Sequence, residues 1–179
     1  MIGTNACLPH QETALVLNVF ADGSCEPRSR RGGWAYVAYR DATEIASAFG
    51  GVLDTANNTM ELIALLNAAQ WIEENATEEA VTLWTDSTYA VSGCNRWRHI
   101  WKNNGWKKIS PNTKMRKRTI PDADLWQAID ARLVHLPLMT VAWCKSHSGL
   151  AGNERADELA EIGRVADCSV ERHSKPSRK

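Results

Sequence analysis

The 179-residue sequence has no net charge, since 21 Lys and Arg balance 21 Asp and Glu. Total charge therefore points to no polyanionic partner. Its five cysteines, Cys7, Cys25, Cys94, Cys144 and Cys168, are odd in number and scattered, with no C-x-x-C pair. That spacing argues against a zinc site and against a secreted disulfide framework, and it fits a reducing compartment. No apolar run approaches the length of a membrane span, and the opening MIGTNACLPHQET lacks a basic region followed by an apolar core. These absences lead to the expectation of a cytoplasmic monomer without membrane contact. No internal repeat is present, and the length suits one domain with a substantial core.

What the chain does hold begins at residues 15–24, LVLNVFADGS, an apolar run too short for a stable helix. It reads as a strand buried on both faces, with Asp22 at its carboxyl end and Gly23 breaking it. Residues 34–40 and 43–52 read as two further strands joined by short polar connections, giving an antiparallel meander. From 58 to 75 the apolar spacing changes to three and four, at Leu62, Leu65, Leu66, Ala69 and the pair Ile63 and Ile72. That is a helix. A strand over 80–87 follows, so the crossover makes it parallel to the first strand and brings Asp86 to the same sheet edge as Asp22. Then come a short helix at 88–93, a basic segment at 95–121, a helix at 123–135 behind Asp122 or Asp124 as possible caps, and a strand at 138–144. A last helix over 153–165 has Asn153 as its expected N-cap. The domain is expected to span 14–166, after an N-terminal arm at 1–13 and before a disordered polar tail at 167–179.

Four acids stand at comparable places: Asp22 and Asp86 at strand ends, Glu61 in the first turn of the main helix, and Asp157 in the first turns of the last. Each also has a purely structural explanation. Asp-Gly at 22–23 can start a turn, Asn58-x-x-Glu61 resembles a capping box, Asp86 can cap the next helix, and Asp157 favours a helix N-terminus. Together they would repel one another unless a cation lay between them. Oxygen ligands without His or Cys select Mg²⁺ or Mn²⁺ over zinc, and such a set can hold two metal ions bridging a phosphodiester.

Those residues carry a resemblance. ADGSC at 21–25, GGW at 32–34, TANNTMEL at 55–62, TDSTY at 85–89, WRHIWKNNGWK at 97–107, DLWQ at 124–127 and WCKSHSGLAGNERADELA at 143–160 occur in the order of the type 1 ribonucleases H. The chain resembles that family, which cuts the RNA strand of RNA–DNA hybrids, over roughly residues 14 to 165. The resemblance implies an α/β fold with a mixed five-stranded sheet, a three-strand meander plus two parallel strands, flanked by helices. It carries metal ligation onto Asp22, Glu61, Asp86 and Asp157 and a mobile catalytic role onto His147. Two-metal hydrolysis of this kind leaves 5′-phosphate and 3′-hydroxyl ends, and a histidine is suited to take a proton from water or to help release product.

Nine Lys or Arg and no acid fall between residues 95 and 121, interleaved with Trp97, Trp101 and Trp106. Such a stretch presents a local field to a polyanion. Trp97 and Trp101, four apart, could equally face inward together. The resemblance makes the segment a basic protrusion that holds the DNA strand, with Trp97, Trp101, Lys102, Trp106, Lys107 and Lys108 expected at the substrate. It also implies minor-groove contacts near the 2′-hydroxyl from Asn57 and Asn58. Arg28 and Thr88 depart from the residues common in the family at two contact positions.

Overall fold

A computed structural model describes residues 16–108, 119–166 and 172–174. The expected N-terminal arm lies outside the described residues, as do positions 109–118 of the basic segment. The meander is formed by β1 (Leu17–Cys25), β2 (Gly32–Arg40) and β3 (Thr43–Val52), paired antiparallel. After helix α1 (Asn57–Asn75), strand β4 (Val81–Thr85) returns parallel to β1, and β5 (Met139–Trp143) adds parallel to β4. The five strands expected from the sequence are thus present as β3-β2-β1-β4-β5. A sixth, β6 (Arg172–Ser174), pairs antiparallel on the outer edge of β3. This short strand falls within the stretch read as a disordered tail, where three polar residues offer no alternation to signal it.

Helix α1 and helix α4 (Ala123–Val134) cover one face of the sheet, and α5 (Ala151–Val165) covers the other. β1 shows why both faces are dry. Leu17, Val19 and Ala21 point into the core with Leu62, Leu65, Ala69 and Ile72 of α1. Phe20 turns the other way, into a second cluster with Val37 and with Ala156, Leu159 and Ala160 of α5. Successive side chains on a strand point to opposite faces, so a strand buried twice over must be apolar almost throughout.

Between β4 and α4 the chain runs through α2 (Thr88–Ser92), a π-helical turn (Gly93–Trp97) and α3 (Arg98–Asn103). Gly93 sits there because a Cβ would come within 1.9 Å of the Trp126 ring.

Several boundaries differ from the sequence reading, each for a local reason. β1 does not break at Gly23. It continues to Cys25, with Gly23 paired to Trp34, because an extended glycine breaks no ladder. Asn58 does not cap α1. The helix begins one residue earlier behind Ala56, which makes no side-chain cap bond, so the expected capping box does not form. Asp86 caps nothing either, since Ser87 accepts from the Ala90 N–H at the start of α2. α5 begins at Ala151 behind Leu150, which carries Asn153 inside the helix rather than onto its cap. Asp122 precedes α4 in the left-handed region without capping it, and its carboxylate accepts from the Thr59 hydroxyl instead.

The tightest contact between layers is at Gly33 of β2, where a Cβ would come within 1.9 Å of the Ala160 carbonyl oxygen and 2.3 Å of the Arg164 nitrogen. Backbone cannot yield as a side chain can. Gly33→Ala is expected to lower the unfolding free energy in urea by about 1–3 kcal/mol, and an unchanged midpoint would contradict this packing.

Candidate active site

β1 and β4 pair in register as far as Phe20 and Trp84. Asp22 and Asp86 each lie two residues further on, so the two acids stand abreast, and side chains two apart share a face. Glu61 reaches them from α1, one turn into the helix. That approach depends on Gly23, since a Cβ there would meet the Glu61 nitrogen at 2.4 Å and the Met60 carbonyl carbon at 2.5 Å. Carboxylate oxygens of Asp22, Glu61 and Asp86 all lie within 4.8 Å of one another.

This grouping opposes folding. Asp22 and Glu61 are each 6 % exposed, and two ionised carboxylates at such separations repel by about 3 kcal/mol even with an effective dielectric near 20. The consequence appears in the titration of both. Burial, then the charge of Asp86, pushes Asp22 up to about 8, against the lowering effect of the Gly23 N–H, which donates to its Oδ1 at 2.7 Å. Burial and then the charges of Asp22 and Asp86 push Glu61 up to about 9. Asn57 Nδ2 donates to Glu61 Oε1 at 3.3 Å, whereas Oε2 is buried without a partner. A buried carboxylate oxygen with no donor is costly unless something positive meets it. Acid oxygens without nitrogen or sulfur suit a hard divalent cation.

Asp86 is held from the other side. Trp143 Nε1 donates to its backbone carbonyl at 3.0 Å, and Asn153 Nδ2 lies 3.5 Å from its Oδ2. Asn153 is 2 % exposed and accepts at Oδ1 from the Cys144 thiol at 3.0 Å. Burial, then the charge of Asp86, raises that thiol to about 11, so it remains a donor at neutral pH. These two residues were missed by the sequence reading, which saw in Asn153 only a cap; its place one helical turn before Asp157 was the available signal.

The structure brings together three of the four expected acids. Asp157, half-buried on α5, stands outside the trio, though its charge contributes to raising Asp22. His147 is exposed, at φ +48° in the loop before α5. That loop is tied at its far side, where the Gly149 N–H donates to Glu154 Oε1 at 3.0 Å. Glu154, itself exposed, therefore joins the loop to the helix that carries Asn153 and Asp157. Asn57 and Asn58 are exposed at the start of α1. Arg28 and Thr88 are exposed as well.

In the basic segment the tryptophans do face inward in part. Trp101 lies with its ring centroid 5.7 Å from Trp97 and 5.4 Å from Trp126 of α4. Tyr89, Trp97, Ile100, Trp101, Lys108 and Pro121 line a cavity of about 410 Å³. Lys102 is drawn to Asp130 at 2.7 Å rather than standing clear of the surface, while Lys107 is exposed beside the half-buried Trp106.

A family model described as RNase H matches residues 15–164. A Ribonuclease H of Mesorhizobium japonicum is 40% identical over 149 residues, covering 82% of this chain and 77% of that protein. A Ribonuclease H of Neisseria gonorrhoeae is 38% identical over 145 residues, covering 81% and 92%. Among solved structures, LC9-RNase H1, a type 1 RNase H with the type 2 active-site motif, aligns with a TM-score of 0.70 at 27% identity, over 89% of this chain and 74% of that one. The foamy viral protease-reverse transcriptase in complex with RNA/DNA hybrid aligns with a TM-score of 0.69 at 20% identity, over 92% of this chain and 22% of that one, which is a likeness of fold.

The raised carboxyls set a pH dependence. With folded values near 8 and 9 against ordinary values of 3.8 and 4.5, the folded chain binds more protons than the unfolded one between about pH 4 and pH 9. Stability is therefore greatest below that window and falls as pH rises through it. The melting temperature of metal-free protein is expected to drop across this range, with a shallower drop for Asp22→Asn and a larger rescue by Mg²⁺ near its alkaline end. A melting temperature independent of pH in the wild-type protein would show that these groups do not bury as described.

Proposed function

This chain belongs to the RNase H family, and we propose that it is an endonuclease that hydrolyses the RNA strand of RNA–DNA hybrids with divalent metal ions held at Asp22, Glu61 and Asp86. The observation that carries this reading is the carboxylate trio, with Asp22 and Glu61 buried, Asp86 half-buried and Glu61 Oε2 lacking any donor. The donor set fits Mg²⁺, with Mn²⁺ as a substitute, and Asp157 is the ligand that would complete a site for two ions during catalysis. A divalent metal held there would supply Lewis acidity at the scissile phosphate, and hydrolysis of this kind leaves 5′-phosphate and 3′-hydroxyl ends.

The chain's own residues do the rest. Asp22 and Glu61 would release their protons on loading, and Asp86 is held in place by Asn153 and by the Trp143 indole on its backbone carbonyl. His147, on an exposed loop beside the first turns of α5, exchanges a proton with the attacking water or with the departing product. Asn57 and Asn58 face the minor groove and read the ribose 2′-hydroxyl, which separates RNA from DNA. Asn57 already donates to Glu61, so sugar recognition and metal ligation share one helical turn. The basic protrusion, with Trp106, Lys107 and Lys108, grips the DNA strand through phosphate without reading sequence. Trp97 and Trp101 support it from the core side and border the aromatic cavity. Among the described residues no helix is long and apolar enough to cross a membrane, and Cys25, Cys94 and Cys144 are unpaired thiols, which suits a monomer working in the cytoplasm.

The test is cleavage of labelled RNA–DNA hybrid, duplex RNA and duplex DNA with Mg²⁺ and then with EDTA. Cutting of RNA in the hybrid alone, abolished by EDTA, is expected; equal cutting of duplex RNA would sink the proposal. Asp22→Asn should remove turnover while hybrid binding persists, and His147→Ala should slow turnover with Mg²⁺ binding nearly unchanged. Loss of Mg²⁺ affinity in His147→Ala would contradict a role in proton exchange.

A further inference from the structure

The basic segment contains no acid in sequence, yet the fold supplies one from elsewhere. Asp130 of α4 is 4 % exposed and lies beneath α3. Its two carboxylate oxygens each take one cation: Arg98 Nη1 at 2.5 Å on Oδ1, and Lys102 Nζ at 2.7 Å on Oδ2. Arg98 is fixed further by donating from Nε to the Cys94 carbonyl at 2.6 Å, within the π-helical turn. Burial works against the Asp130 charge, but the hydrogen bonds from Lys102 and Arg98 prevail and hold the carboxyl below its ordinary value.

The placement is built into the local helix geometry. Arg98 and Lys102 are four apart and share a face of α3, one residue round from the face of Trp97 and Trp101. Trp101 packs against Trp126, with Trp97 against Trp101, and α4 carries both Trp126 and Asp130, four residues apart. One helix therefore receives the apolar face and the charged face of the same six-residue segment. Taking Lys102 or Arg98 away to a phosphate would leave a buried carboxylate short of a partner, which is the expensive way to break such a pair.

We propose that Asp130 is the internal counter-ion of the protrusion, withdrawing Arg98 and Lys102 from phosphate binding and leaving the grip on the hybrid to its other exposed cations, Arg96, Lys107 and Lys108 among the described residues. The acid thereby sets how many phosphates the protrusion neutralises, and general affinity for any duplex scales with that number. Asp130 is in this sense a specificity residue that never touches substrate: it limits the part of binding that does not distinguish hybrid from DNA. The inference rests on reading the protrusion as the substrate grip.

The full-length protein in EDTA, titrated with fluorescein-labelled RNA–DNA hybrid over a series of NaCl concentrations, tests it through the slope of log Kd against log salt. Each phosphate contact contributes about 0.9 to that slope. Lys102→Met is expected to leave the slope unchanged and Kd within about twofold. Asp130→Asn is expected to steepen it by about one contact as Lys102 is released, and the double variant Asp130→Asn with Lys102→Met to restore it. A purely structural Asp130 would not move the slope in that direction. Lys107→Met should flatten the slope by about one contact, which reports on the grip itself. If Lys102→Met flattens it as well, or if folded Asp130→Asn leaves it unchanged, the proposal is overturned while the grip stands. If Lys107→Met and Lys102→Met both leave it unchanged, the grip reading fails and takes the proposal with it. Lys102→Met decides the matter even if Asp130→Asn does not fold, because its side chain is half exposed and its removal leaves Arg98 on Asp130.

Discussion

Mutual repulsion among buried carboxylates is the constraint around which this molecule is arranged. Asp22 and Glu61 are nearly inaccessible and lie with Asp86 inside 4.8 Å. A domain whose net stability is only several kcal/mol can keep such a group only if it is partly protonated or met by cations. The raised values at Asp22 and Glu61 are the first of these solutions, and divalent metal is the second. Gly23 is where backbone geometry and electrostatics meet, because its missing Cβ is what allows α1 to approach β1 closely enough to create the problem.

The surrounding structure resists the tendency of these groups to separate. The register of β1 and β4 fixes two acids abreast, α1 is locked by its apolar face, and α5 brings Asn153 against Asp86 while Phe20 and Leu159 fill the space behind. His147 and the described part of the basic segment are placed differently, on a loop and on short helices rather than on the sheet or its long helices. Asp130 is the exception, a buried charge that anchors the protrusion to the rigid part of the fold.

Much of this was legible in residue order. Apolar continuity through residues 15–21 announced a strand buried on both faces, and the change of period after residue 58 announced α1, so the parallel return of β4 and the pairing of Asp22 with Asp86 followed from topology alone. Ordered motifs added the family and its candidate site. Features set by the third dimension were not legible. Gly23 looked like a strand breaker because a close approach by another element leaves no trace in sequence. Asn153 and Asn58 looked like caps because the true helix starts, behind Leu150 and Ala56, use no side-chain cap at all. Nor could the charge of the protrusion be counted correctly within its own segment, since the acid that offsets it lies on the next helix.

Burial and mutual crowding keep Asp22 and Glu61 protonated beside Asp86, and a bound divalent metal would discharge them. Calorimetric titration of Mg²⁺ into the protein near neutral pH, repeated in buffers of different ionisation enthalpy, counts the protons released per bound site. Release of about two protons is expected, one each from Asp22 and Glu61, falling to about one in Asp22→Asn. Binding of Mg²⁺ without proton release would contradict it.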